Sequence, residues 1–413
     1  MDSAPQTHKA RKIHPAWGVA FAGAVAIFCG LGLGRFAFGM MLPSMSISLG
    51  LDYDQGGLLG FANMLGYLFS VLIMPFVLRR LGTRLTASFS LVLMALSMFG
   101  MALSENFLVL CSFYLFTGLG SGGVVLPTMS VMSQWFAPSH RGLASGIAMS
   151  GPGFGIILSG FVVPKLIPFA GLHSWQSGWL IFGAITAAVS LLAYAFIRNH
   201  PRDLGFDAFG KTPGTLTEHV PTFTPRARVK LLAHLGIVFG IYGATYMLYV
   251  TFIVTSMVDS YGMSQQDAGW LWAIFGLLSI FSGVVFGSIS DKIGRRMGMA
   301  VAFSVLATSY LLVGFSSSIM ALYLSIFLFG IAAWSIPVIM AASCGDFFGP
   351  AAAASALAIL MMVFSVGQGT GPVIAGFVAE RSGTFSASYA SAGIAALIAV
   401  ALAFLLRPPQ TTD

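Results

Sequence analysis

The chain has 413 residues, 57% of them hydrophobic and 8% charged, with a mean hydropathy of +0.88. Soluble domains carry about 25% charge and need polar cover, so this composition excludes a water-soluble globule and makes lipid the solvent for most of the chain. The net charge of +7 raises nucleic acid as a partner and the three cysteines raise a disulfide or metal framework, until one asks where those residues sit.

A membrane-spanning helix needs about 20 apolar residues. Twelve such stretches follow one another, with cores at 16–45, 56–78, 85–103, 107–136, 143–168, 175–197, 231–258, 267–290, 298–316, 319–348, 352–379 and 386–406. The first follows a polar, basic start. Its apolar run from Trp17 to Met45 is too long for a signal-peptide core, so it is read as a span that stays. Arg35 lies inside it, in GLGLGRFAFGMMLP. With the midpoint near residue 30, the guanidinium is about 7 Å past the middle, too deep to reach water cheaply. Asn63 is a polar residue of the second span. PFVLRRLGTR (75–84) then joins the second span to the third. SQWFAPSHRGLASGIAMSGPGFG (133–155) enters the fifth, and its Gly142, Ser145, Gly146, Gly151 and Gly155 are small residues suited to close helix packing.

Residues 198–230 are polar, rich in Pro and Thr, and carry six Lys or Arg. They read as a linker between a six-helix unit at 1–197 and a second at 231–413. In the seventh span Tyr242, Tyr246 and Tyr249 fall on one helical face. GSISDKIGRR (287–296) follows the eighth, Trp334 sits at the centre of the tenth, and Gln368 lies in the eleventh. GSISDKIGRR stands 212 residues after PFVLRRLGTR, and FGP (348–350) stands 212 after FAP (136–138), which points to a duplicated unit. With the N-terminus inside, seventeen of the twenty Lys and Arg fall in inner segments. Only Lys165 and Arg381 fall outside, with Arg35 in the membrane. Both termini are therefore expected in the cytoplasm. The basic charge holds topology, which removes nucleic acid as a partner, and the cysteines Cys29, Cys111 and Cys344 lie in or beside apolar runs as small hydrophobes.

GSISDKIGRR matches the pattern Gly-x-x-x-Asp-(Arg/Lys)-x-Gly-Arg-(Arg/Lys). On this motif, the twelve spans, the two halves and the central loop, the whole chain resembles the major facilitator superfamily of secondary transporters. GLGRFAFGMMLP resembles a poorly characterised group of bacterial inner-membrane permeases within it. WF followed by RGLASG resembles the organic-anion and monocarboxylate branches, while Gly151-Pro152 with Gly155 partly resembles the proton-linked exporters. The resemblance implies two six-helix bundles rocking about a central cavity, a monomer in the bacterial inner membrane, and a gating latch. The latch would comprise Asp291, Arg295 and Arg296 with Gly287, and Arg141 in the preceding half. The N-terminal copy departs from the pattern, with Pro75 for the glycine and Arg79 for the aspartate. The eighth span has no charge before Asp291, so lactate-like specificity is not implied.

All thirteen acids fall in loops, tails or helix ends. A guanidinium lacking a resident counter-charge suits a carboxylate brought from outside, held by two hydrogen bonds. The alternative is a structural brace in which backbone carbonyls hold Arg35. Tyr242, Tyr246, Tyr249, Trp334, Asn63 and Gln368 are the further candidates for the pocket. No membrane-embedded acid or histidine stands out as a proton carrier. Anion exchange, or a proton travelling with the substrate, is therefore expected over a carboxylate-switched exporter. No P-loop, dinucleotide loop, metal cluster or catalytic arrangement appears, so no cofactor is expected. The expected function is a transporter of a small, anionic organic solute. The rivals are a proton-driven exporter of neutral or cationic compounds and a non-transporting receptor or enzyme.

Overall fold

The computed structural model describes residues 14–166, 172–210 and 225–406. Lys9, Arg11, Lys12, linker residues 211–224 and Arg407 lie outside the described residues. The described chain is nearly all helix, with an isolated bridge joining Phe136 and Phe209. Eleven helical stretches among the described residues are long and apolar enough to cross a membrane.

The first stretch is α1 (Pro15–Ile27), a π-helical segment (Phe28–Phe36) and α2 (Ala37–Leu49). α3 (Tyr53–Ala102) runs for 50 residues. At 1.5 Å per residue an unbroken helix of that length would measure about 75 Å, more than twice the hydrocarbon thickness of about 30 Å, so it cannot be one straight span. It is interrupted at Gly82, whose φ of 71° and ψ of 174° are not helical. The chain folds back there: a Cβ at Gly123 would meet both Ser90 and Met74, eight residues on either side of Gly82, so the second and third predicted spans lie side by side about a single glycine corner. α4 (Phe107–Trp135) is followed by α5 (Pro138–Met149) and α6 (Gly151–Val162). The sequence expectation of one helix over 143–168 gives way to an earlier start and a break at Ser150, where Pro152 cannot supply a backbone donor. α7 (Ser174–Phe196) completes the N-terminal set.

The C-terminal set is α8 (Pro225–Asp259), α9 (Gln265–Ile293), α10 (Arg295–Phe315), α11 (Ile319–Ala332), α12 (Ser335–Phe348), α13 (Pro350–Ser382) and α14 (Ser386–Leu405). The tenth predicted span, 319–348, is broken into α11 and α12 at Ala333–Trp334.

The spacing of 212 seen in the motifs recurs in the backbone. Left-handed glycines pair as Gly50 (φ 62°) with Gly262 (φ 63°), and Gly82 (φ 71°) with Gly294 (φ 86°). The residues that begin helices pair in the same way: Asp52 with Ser264, Asn106 with Ser318, and His173 with Phe385. A side chain at positive φ clashes with its own backbone, so these corners need glycine wherever the chain reverses.

The N- and C-terminal sets meet along three seams: α3 on α13, α6 on α9, and α2 on α8. One end of these seams carries a clasp. The Tyr53 hydroxyl donates to Asp259 Oδ2 at 3.1 Å, its backbone N–H donates to Glu380 Oε2 at 3.0 Å, and its ring lies 4.7 Å from that of Phe385. α5, in contrast, packs chiefly on α1, α4 and α6, and α12 on α8, α9, α10 and α13, each within its own set.

The described start of the linker is docked. Phe209 accepts from Ala137 and donates to the Trp135 carbonyl, while its ring meets Trp17, Phe136 and His140. Trp135 Nε1 donates to the Arg198 carbonyl at 2.9 Å, and Asn199 Oδ1 accepts from the Arg84 N–H.

The π-helical segment holds the centre of the N-terminal set because its glycines let three neighbours approach. A Cβ added at Gly32 would lie 2.8 Å from Gly155 Cα of α6. Gly142 and Gly146, read from sequence as packing residues, have nothing within 4 Å of such an atom, so the close contact is made by Gly151 and Gly155 alone of these four. Gly155→Ala is expected to lower the thermal stability of the purified protein by roughly 1–3 kcal/mol, the usual cost of overpacking. Gly146→Ala should leave the melting temperature unchanged; paired melting curves in detergent check both.

Candidate functional site

Arg35 is the penultimate residue of the π-helical segment, at whose end the Ala37 N–H reaches back five residues to the Gly32 carbonyl. Such a bulge widens the helix locally and is frequent at functional sites. The side chain is 5% exposed. One guanidinium nitrogen, Nη2, donates to Gln368 Oε1 of α13 at 3.1 Å and also contacts Met64 Sδ of α3. The cation stands over the Tyr67 ring, 5.1 Å from its centroid. Tyr114 of α4 donates its hydroxyl to the Arg35 carbonyl at 3.3 Å, and Asn63 Nδ2 donates to the Tyr114 carbonyl at 3.1 Å.

Every partner of the charge is neutral. Among the described residues the ion pairs lie elsewhere, at Arg295. Arg35 Nε is buried and has no hydrogen-bond partner. A central arginine costs ~3 kcal/mol on insertion scales. A cation–π contact returns roughly 0.5–2 kcal/mol of that, and a thioether is a weak acceptor.

The second irregular helix lies beside the first. At the break between α11 and α12 the freed backbone groups are taken by side chains. The Tyr242 hydroxyl donates to the Ala333 carbonyl, and Ser282 Oγ accepts from the Trp334 N–H at 3.0 Å. Interrupted helices survive at membrane depth only with such replacements. The Trp334 ring is 5.5 Å from that of Phe36 and 5.4 Å from that of Tyr246. The π-helical segment and the α11–α12 break thus meet through Phe36 and Trp334.

Tyr246 is fully buried, and its hydroxyl has no partner. It stacks on Tyr242 at 5.3 Å and on Phe329 at 5.8 Å. Tyr249 faces away from Arg35 and toward Ser325, whose Oγ is 2.8 Å from its hydroxyl.

The seven sequence candidates therefore divide. Arg35 and Gln368 touch each other, and Tyr246 and Trp334 border them. Asn63 supports from behind through Tyr114, Tyr242 ties down the α11–α12 break, and Tyr249 belongs to the packing of the C-terminal set. Sequence reasoning missed Tyr67, Met64, Tyr114 and Phe36. Tyr67 lies four residues after Asn63, on the same helical face, and that spacing could have found it.

Of the gating candidates, Gly287 and Asp291 lie near the end of α9, Arg295 and Arg296 open α10, and Arg141 is on α5. Arg295 donates to Asp291 Oδ1 at 2.5 Å, to Asp346 Oδ2 at 2.6 Å and to Ser290 Oγ at 2.9 Å. These contacts join α9 to α12 inside the C-terminal set rather than across a seam. Arg296 is exposed and stands 6.0 Å from the Phe404 ring, and a Cβ at Gly287 would meet Val338 at 3.2 Å. Arg141 donates to the Ser133 carbonyl at 3.0 Å, within its own set.

A family model described as "Uncharacterised MFS-type transporter YbfB" matches residues 27–404. The chain belongs to this family of MFS-type transporters. It is a multi-pass membrane transporter and not an enzyme. Similar proteins include a hexuronate transporter of Bacillus subtilis (strain 168), 23% identical over 91% of each chain. A probable sulfoacetate transporter, SauU, of Cupriavidus necator is 24% identical over 90% of each chain. Among solved structures, a bacterial homologue of the human lysosomal transporter Spinster, inward-facing and unoccupied, superposes with a TM-score of 0.77 at 16% identity, covering 96% of this chain and 98% of that one.

Two hydroxyls on one face of the transporter's α8 differ in what they hold: that of Tyr242 is bonded to Ala333 and that of Tyr246 has no partner. Tyr242→Phe leaves the Ala333 carbonyl unpaired and is expected to cost on the order of 1 kcal/mol of stability. Tyr246→Phe removes a hydroxyl without a partner and should leave the melting temperature of the ligand-free protein unchanged.

Proposed function

We propose that the protein is a secondary active transporter of a small organic anion, a carboxylate, working by alternating access in a bacterial inner membrane with both termini cytoplasmic. The observation that carries the reading is Arg35: a buried guanidinium with neutral partners only and an unused Nε. A carboxylate offers two acceptor oxygens in the geometry of the guanidinium fork, and hydrogen bonds to an ionised group are roughly twice as strong as neutral ones. The Tyr246 hydroxyl supplies a further donor. Relatives named for hexuronate and sulfoacetate carry anions, in keeping with this chemistry.

In this reading Gly82 divides α3 into two spans, so the eleven stretches become twelve, arranged as bundles at 1–197 and 231–413 with a cytoplasmic linker at 198–230. The seams and the Tyr53 clasp close the outer side, and α5 and α12, each held within its own set, border a mouth open to the cytoplasm. Arg35 and Gln368 come from different bundles, so the anion would bind where both contribute. Asp291, Arg295 and Asp346 hold the inner end of α12, with Arg296, Gly287 and Arg141 nearby on the same side, and would rearrange when that mouth closes. The protein acts as a monomer, and a proton carried with the substrate or an exchanged anion balances the charge. A second reading, proton-driven export of neutral or cationic compounds, draws on the Gly151-Pro152 break before α6 and on the aromatic stack of α8.

Arg35→Lys keeps the charge but loses the fork. In proteoliposomes it is expected to reduce carboxylate counterflow about tenfold or more, the loss that accompanies one strong charged hydrogen bond. Normal carboxylate flux in this variant, or counterflow of a cationic dye in its place, would sink the assignment. Topology is checked in a cysteine-free background: Asp207→Cys should react with an impermeant maleimide only from the cytoplasmic face, and Asp52→Cys only from the outside.

A further inference from the structure

Resting on the anion reading, we infer that the carboxylate this site takes has a flat, apolar body, such as an aromatic acid, rather than a hydroxylated sugar acid. The argument lies in what surrounds the charge. Two aromatic residues of the site retain solvent exposure, Tyr67 on α3 and Trp334 at the α11–α12 break, while Arg35, Tyr246, Gln368 and Asn63 are buried. Tyr67 is the face over which the guanidinium sits, and Trp334 packs on Phe36, the residue next to Arg35. The two half-buried rings therefore come from different helix sets, Tyr67 of α3 against the guanidinium and Trp334 of the α11–α12 break against the neighbouring Phe36, with Tyr246 packed on Trp334.

The polar inventory is correspondingly short. Among the fully buried polar atoms here, Arg35 Nε and the Tyr246 hydroxyl are the unpartnered donors, both of which one carboxylate would consume, and Asn63 Oδ1 is an unpartnered acceptor. Asn63 Nδ2 is taken by the Tyr114 carbonyl, Gln368 Oε1 by Arg35, Ser282 Oγ by the Trp334 N–H, and the Tyr242 hydroxyl by the Ala333 carbonyl. A hexuronate brings several hydroxyls, and each one buried without a partner costs binding. An aromatic ring brings none and gains by stacking or edge contact with Tyr67 and Trp334. The same rings would meet a planar substrate from both sides.

The test measures binding to the purified full chain by thermal shift and by counterflow in proteoliposomes, using benzoate, lactate, glucuronate and benzyl alcohol. Benzoate should stabilise the protein and exchange, lactate should bind more weakly, and glucuronate and benzyl alcohol should do neither. Trp334→Ala and Tyr67→Ala should each weaken benzoate by roughly 5- to 10-fold, the worth of one aromatic contact, while changing lactate by less than about 2-fold. Trp334→Phe keeps the ring and should retain most of the benzoate affinity, which guards against loss through misfolding. Glucuronate or lactate binding as tightly as benzoate, with Trp334→Phe and Trp334→Ala indifferent, overturns the aromatic body and leaves the anion reading standing. Benzyl alcohol binding as tightly as benzoate, or no carboxylate binding at all, overturns both.

Discussion

One cation held by neutral groups in the middle of the protein governs the rest of this structure. Arg35 cannot shed its proton, and it does not reach water. Its surroundings are an amide oxygen, a thioether and an aromatic face. Each tempers the cost of burial, and none cancels the charge. Such a group is paired well enough for the helices to pack around it, yet a carboxylate would bind it better than its present partners do. A resident aspartate in the place of Gln368 would make the bundle more stable and the site useless for a passing anion. On the anion reading, that residual electrostatic need is what gives the site its function.

Placing the guanidinium there has a backbone requirement. A regular α-helix from Pro15 to Leu49 would turn residues 28–36 differently, and the π-helical geometry re-aims Arg35 and Phe36. The segment is wide and glycine-rich, so it depends on neighbours for support. Gly155 of α6 supplies part of that by letting the two backbones approach. On the other side the α11–α12 break exposes a carbonyl and an N–H, and Tyr242 and Ser282 cover them. Two irregular backbones meeting through Phe36 and Trp334 are costly in lipid unless each freed group is satisfied. Here the satisfaction is specific, and the regular helices outside it serve as scaffold.

Much of this was legible in the sequence. Apolar length gave the helical spans, and the 212-residue spacing of PFVLRRLGTR and GSISDKIGRR foretold the matched corners at Gly82 and Gly294. Arg35 and Gln368 were both singled out because polar residues at span centres are expensive, and the structure brings them into contact. The breaks were not legible. Hydropathy integrates over about 20 residues, so a one-residue interruption inside a span, as at Trp334 or Ser150, leaves no trace in it. Tyr67 and Phe36 were hidden for a related reason: aromatic residues are common in spans, and only three-dimensional proximity to the cation distinguishes them. Tyr249 shows the converse. Its helical face matched that of Tyr246, yet one further turn along α8 carried it to Ser325 and into packing.

The repeat also explains why the site is asymmetric. Position 35 corresponds to position 247 at the common spacing, where the second half has Met247 among buried tyrosines. Two copies of an arginine there would face each other near the centre and repel in a medium of low dielectric. One copy therefore carries the charge, and the other carries phenols and an amide that can share it. At this point charge on one side meets a neutral amide on the other, so the halves are tied here by a hydrogen bond and not by an ion pair. On the transport reading that is the useful arrangement: the Arg35–Gln368 bond is weak enough to yield when a carboxylate takes the guanidinium, and its loss frees the π-helical segment from α13. Binding and the loosening of one side of the protein would then be a single exchange of hydrogen-bond acceptors.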